Sequence, residues 1–152
     1  MTADHTLDRS FQVKNARERE RLAALVQHLG EADLGRSVGH GWTVADTLAH
    51  LAFWDLRATT LITRFETAGV GPSPADEDVI NDTVQALARA IPPRATVRLA
   101  LEAAATVDRR IEALPDHTLR AIVAAGNPFS LTRHDHRAEH LDEIERALHA
   151  NA

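Results

Sequence analysis

The 152-residue chain contains no cysteine. Disulfides, cysteine-ligated zinc or iron–sulfur centres and a cysteine nucleophile are therefore excluded, and any thiol chemistry needs a thiol from outside the chain. Tyrosine is also absent, and aromatic residues make up only 4% of the sequence. The aromatic clusters that favour strands are missing. No apolar run approaches the ~20 residues needed to span a bilayer. Met1 to Arg9 lacks the apolar stretch of a secretory signal, so no membrane association and a cytoplasmic location are expected by default. The chain has no Gly-rich phosphate loop, no GxSxG elbow and no HExxH, which leaves nucleotide hydrolysis, serine hydrolysis and zincin proteolysis without support. The net charge is −5 with acids and bases interspersed, and that opposes a nucleic-acid partner held by phosphate neutralisation.

What is present is helix-forming. Alanine, leucine, arginine and glutamate dominate, and 44% of residues are hydrophobic, enough for a core in a single domain over residues 1–152. Apolar spacing predicts a first helix over Thr6–Leu29, stopped by Gly30. Residues Glu31–Trp42 read as a glycine-punctuated loop. Thr43 with Asp46 three positions on marks the start of a second helix running to Ala68. Ser73-Pro74, followed by Asp76, Glu77 and Asp78, opens a third segment. Pro92-Pro93 separates it from a fourth over Arg94–Leu114. A short helix fits Asp116–Ala125, Gly126-Asn127-Pro128 forms a turn, and a last helix covers Leu131–Ala150. The expected class is all-α: a four-helix bundle with one or two short extra helices.

Nine histidines are the unusual count. His136 and His140 are four apart on one helix, which places both rings on one face, about 5–6 Å apart at Cβ. Two imidazoles so placed can share a metal ion at about 2.0–2.1 Å each. At roughly 100° per residue, both flank the stripe made by Leu141, Ile144 and Leu148, and His50 flanks the stripe of Trp54, Leu61 and Phe65 in the same way. Three imidazoles from two helices would leave a position open for water or substrate, as catalytic sites do. Ordinary packing beside a core explains the same spacing, so the pattern alone leaves both readings open.

The run Gly41-Trp42-Thr43-Val44-Ala45-Asp46-Thr47-Leu48-Ala49-His50-Leu51-Ala52-Phe53-Trp54-Asp55 resembles the second-helix motif of the DinB-like metal-binding proteins. His136-Arg137-Ala138-Glu139-His140-Leu141-Asp142-Glu143-Ile144 resembles their last-helix HxxxH pattern. Motif order and separation extend the resemblance over essentially the whole chain. It implies an up-down-down-up bundle that often dimerises, with nickel, zinc or a similar ion on three histidines, here His50, His136 and His140. A related branch contains the mycothiol-dependent maleylpyruvate isomerases and thiol S-transferases, which implies a low-molecular-weight thiol, mycothiol or bacillithiol, as second cofactor.

The remaining polar residues are read more modestly. Glu143 lies on the face of His136 and His140, where it would orient an imidazole or act as a base, or simply be a solvated acid. Arg57, seven after His50, and Arg133, three before His136, are candidates to hold an anionic group of a small-molecule substrate, although bundle-end arginines are usually solvated. Trp54 and Phe65 read as core, and Asn81 as solvent-facing. Asp46 reads as a first-turn charge. His134 points away from His136, and His40 is a loop residue. His5, His28, His117 and His149 have no partner at ligand spacing. Three functional classes follow: a metal-dependent thiol transferase or isomerase, a metal-dependent hydrolase, and a non-catalytic metal- or ligand-binding stress protein.

Overall fold

A computed structural model describes residues 7–150. The elements in chain order are α1 (Phe11–Val26), α2 (Glu31–Leu34), β1 (Ser37–Gly39), β2 (Trp42–Thr43), α3 (Val44–Ala68), α4 (Glu77–Ala88), α5 (Pro93–Glu112), α6 (Asp116–Ala124) and α7 (Arg133–His149). The bundle consists of α1, α3, α5 and α7. α3 packs against α5 and α7, and α1 packs against the same two helices. None of the described helices is long and apolar enough to cross a membrane.

Two core clusters give the direction of each helix. One joins Leu22 and Val26 near the end of α1, Val44 and Leu48 at the start of α3, Val97 and Ala100 early in α5, and Leu141 and Ile144 late in α7. The other joins the start of α1 (Phe11), the end of α3 (Ala58, Leu61, Ile62), the end of α5 (Val107, Ile111), α6, and Phe129 and Leu131 just ahead of α7. The bundle therefore runs up-down-down-up. Parallel α3 and α5 need a crossover, and residues 69–92 supply it, with α4 laid against α3.

Four boundaries differ from the sequence reading. Residues 31–42 are not simply a loop: α2 and a small antiparallel hairpin occupy them, with Ser37 opposite Thr43 and Gly39 opposite Trp42. The hairpin tip Gly39-His40-Gly41 has φ of 107°, 54° and 79°, a left-handed run that glycine accepts without penalty. The third segment does not start at Ser73-Pro74. It starts at Glu77, because the Asp76 side chain accepts from the Val79 amide, while Ser73 is held by Arg57. The first helix is shorter than expected at both ends, and Thr6 lies outside the described residues. The last helix begins at Arg133, because the Leu131 carbonyl accepts from the buried Asn15 side chain.

The start of α3 carries the clearest local code. Thr43 Oγ1 accepts from the Asp46 amide at 3.1 Å, and Asp46 Oδ2 accepts from the Thr43 amide at 3.0 Å. This reciprocal cap contributes on the order of 1 kcal/mol. It fixes where α3 starts, and hence the height of His50 in the bundle.

Candidate metal centre

His50 comes from the second turn of α3, and His136 and His140 from successive turns of α7. The neighbouring packing of α3 and α7 brings the three rings together, with centroids 4.9 Å (His50–His136), 4.6 Å (His50–His140) and 4.7 Å (His136–His140) apart. One ligand nitrogen from each lies within 4.8 Å of the others, and among the described residues this is the one such group of three or more potential ligands. An ion at about 2.0–2.1 Å from each nitrogen needs them about 3.4 Å apart. Small side-chain rotations cover that difference. At present Nε2 of His50 and Nε2 of His136 stand 2.9 Å apart, so one donates to the other.

The donor set is chemically ready for a cation. Burial, reinforced by the neighbouring His140, pushes His50 down to about 4. Burial, followed by His140, His50 and the Arg133 and Arg137 charges, pushes His136 down to about 2. Both rings are therefore neutral at pH 7, the form that ligates metal. His140 Nδ1 lies 3.0 Å from Glu143 Oε2, so the Nδ1–H donates to the carboxylate and Nε2 is left for an ion. Glu143 thus orients an imidazole.

Aromatic rings wall the trio. Trp42 stands at 86° to His50 with centroids 5.5 Å apart, and Trp54 lies 6.5 Å away on the other turn. Trp54 is not a core residue as its spacing suggested. It is half-buried, donates from Nε1 to Asn81 Oδ1 at 3.0 Å, and has the Arg57 guanidinium 5.6 Å from its ring. Asn81 is correspondingly not solvent-facing. It borders the site and reaches across from α4. Phe65 does belong to the core, stacked on Phe129.

A cleft of about 830 Å³ opens beside the trio, lined in part by His50, His136, His140, Trp54, Arg57 and Arg133. Arg57 donates to the carbonyls of Pro128 and Ser73 and to Ser73 Oγ. Burial, then the nearby Arg133 charge, lowers its pKa. Arg133 is not solvated: it is 6% exposed. Its Nε donates to Asp55 Oδ1 at 2.9 Å and its Nη1 to the Ser130 carbonyl, while Nη2 has no partner. His134 stays outside the trio, beside Asp135, with its amide donating to Asn15 Oδ1. His40 sits at the exposed hairpin tip.

Beneath the trio lies a buried ionic network that the sequence reading missed. Arg137, 1% exposed, donates to both oxygens of Asp108 at 2.8 Å each and to Asp55 Oδ2 at 3.3 Å. Arg19 also pairs with Asp108. Burial works against the Arg137 charge, but Asp108 and Asp55 outweigh it and raise its pKa. The helical wheel carried the signal. On the phase used for the histidines, Arg137 falls at roughly 60°, inside the α7 apolar stripe, and Asp55 at roughly 140°, between the buried Ile62 at roughly 120° and Leu48 at roughly 160° on α3. A charge inside an apolar stripe announces a buried partner.

The bundle, its direction and the histidine trio define a DinB-like fold. More specifically, residues 16–150 match the family described as mycothiol maleylpyruvate isomerase N-terminal domain, and the chain belongs to that family. No curated protein and no solved structure matches it.

Proposed function

We propose that the protein binds one divalent ion, zinc or nickel, through His50, His136 and His140, and that it is an enzyme using a low-molecular-weight thiol such as mycothiol or bacillithiol for S-transfer or isomerisation. The observation that carries this reading is the convergence of three imidazoles, those of His50 and His136 held neutral by burial, at an open cleft in a chain of this family. When bound, the ion would supply a fixed positive charge that favours thiolate over thiol.

The chain's own groups do the rest. Burial keeps His50 and His136 unprotonated, and Glu143 holds His140 in the tautomer that presents Nε2. Trp42 and Trp54 limit the rotation of His50. Arg57 and Arg133 line the same cleft and would hold an anionic group of the substrate. A volume of about 830 Å³ accommodates a small molecule.

The test has two stages. His50→Ala, His136→Ala and His140→Ala should each cut metal content, read by elemental analysis, with helicity retained. Cobalt-substituted protein is then titrated with mycothiol, bacillithiol and glutathione, and sulfur ligation should add a charge-transfer band. Full metal occupancy in the triple variant removes the site assignment. An unchanged spectrum with all three thiols, and no turnover, removes the thiol reading in favour of water activation or simple binding.

A further inference from the structure

Glu143 fixes the tautomer of His140. The other two rings, His50 and His136, face each other through their Nε2 atoms at 2.9 Å. Two neutral imidazoles in that contact share one proton, so one ring donates and the other accepts. Which ring donates depends on what holds the far nitrogen of each.

Asn81 gives the answer at His50. It lies on α4, the crossover helix packed against α3, and borders the cleft beside the trio. Trp54 sets its amide: the indole N–H only donates, so the atom that meets it at 3.0 Å is Oδ1. That oxygen has a second lone pair for a second donor. His50 also hydrogen-bonds the Asn81 side chain. Burial and then His140 push the His50 ring toward its neutral form, and the Asn81 bond works the other way, as an acceptor facing a ring N–H does. With Nε2 turned to His136, the nitrogen that meets Asn81 is Nδ1.

We propose that Asn81 is a positioning residue of the trio: its Oδ1 accepts from His50 Nδ1–H as well as from Trp54, and so fixes His50 in the tautomer whose Nε2 is unprotonated and turned to the ion site. The effect on ion affinity rests on the metal reading above, and the tautomer does not.

The assignment propagates through the trio. Because His50 Nε2 accepts, the proton between the two rings sits on His136 Nε2 in the metal-free protein. Asn81 and Glu143 thus preset two of the three rings, one from α4 and one from α7. His136 is the ring that has to carry its proton on Nδ1 before its Nε2 can ligate. α4 contributes no histidine to the trio, yet its asparagine oxygen does for His50 what the Glu143 carboxylate does for His140. A neutral amide orients the ring without adding charge beside the ion.

Long-range proton–nitrogen NMR spectra of the metal-free protein near pH 7.5 distinguish protonated from unprotonated ring nitrogens. The expected pattern is Nδ1–H on His50 and His140 and Nε2–H on His136. In Asn81→Leu, His50 should lose its single tautomer while His140 keeps its own, and zinc affinity, read by competition with a chelator, should fall about 10–100-fold with circular dichroism unchanged. Asn81→Asp retains an acceptor oxygen and should restore both the Nδ1–H tautomer and the zinc affinity. The proposal is overturned if His50 carries its proton on Nε2 in the unsubstituted protein, if Asn81→Leu leaves tautomer and affinity unchanged, if it disturbs His140 as much as His50, or if Asn81→Asp loses affinity as Asn81→Leu does, since the side chain would then merely pack α4. Protein that shows the expected tautomers but takes up no zinc refutes the metal reading alone. Protein that takes up zinc with His50 protonated on Nε2 when metal-free refutes this inference alone.

Discussion

Asp55 is the residue whose loss should damage this protein most for its size. It is 3% exposed and divides its carboxylate between two arginines, with Oδ1 on Arg133 Nε at 2.9 Å and Oδ2 on Arg137 Nη2 at 3.3 Å. Asp55→Ala leaves Arg137 on Asp108, to which it donates twice, but removes the one carboxylate that Arg133 holds. Removing one partner of a buried ion pair costs about 3–5 kcal/mol, because the other charge stays desolvated. The surviving Asp108 contacts place the estimate near the lower end, about 3 kcal/mol. Asp55→Asn keeps one acceptor oxygen and should cost about half as much. Equilibrium urea denaturation of the metal-free protein measures both, with the midpoint shifting and the slope retained. Arg133 and Arg137 flank His136 in sequence on α7, so metal content should fall in the alanine variant as well. A loss below about 1 kcal/mol for Asp55→Ala would show that water or rearrangement solvates these arginines, and that the network is not what holds α3 against α7.

Acid should weaken the metal-free fold before its carboxylates titrate. His50 is held at about 4 and His136 at about 2, against 6.5 when unfolded. Below pH 6.5 the unfolded chain therefore binds more protons than the folded one, and stability falls as pH falls. Each histidine contributes a slope of up to about 1.4 kcal/mol per pH unit until its folded pKa is reached. Urea midpoints between pH 7.5 and 5 should drop accordingly, with His136→Gln removing about half the slope, and a flat profile would show that these rings protonate freely in the fold. Glu143→Ala should weaken metal affinity by about 10–100-fold through loss of His140 orientation. Competition with a chelator reads this, and an unchanged affinity would assign Glu143 to the surface.

Much of this protein follows from local pattern alone. The Thr43–Asp46 cap, the HxxxH spacing and the absence of cysteine are statements about neighbours in sequence, and short-range hydrogen bonding and helical periodicity are enough to read them. So the helices, the histidine trio and the outside source of any thiol were legible. Packing decided the rest. Whether Arg133 and Asn81 face water or the site depends on which helix lies alongside, and a single helix does not contain that information. The Asp55–Arg137–Asp108 network joins residues up to 82 positions apart, and a helical wheel that puts Arg137 in an apolar stripe does not name its partners, which only the closing of α3, α5 and α7 brings to it. Asn81 is likewise placed by tertiary structure. It stands 27 positions from Trp54, and only the packing of α4 against α3 brings its side chain to both that indole and His50.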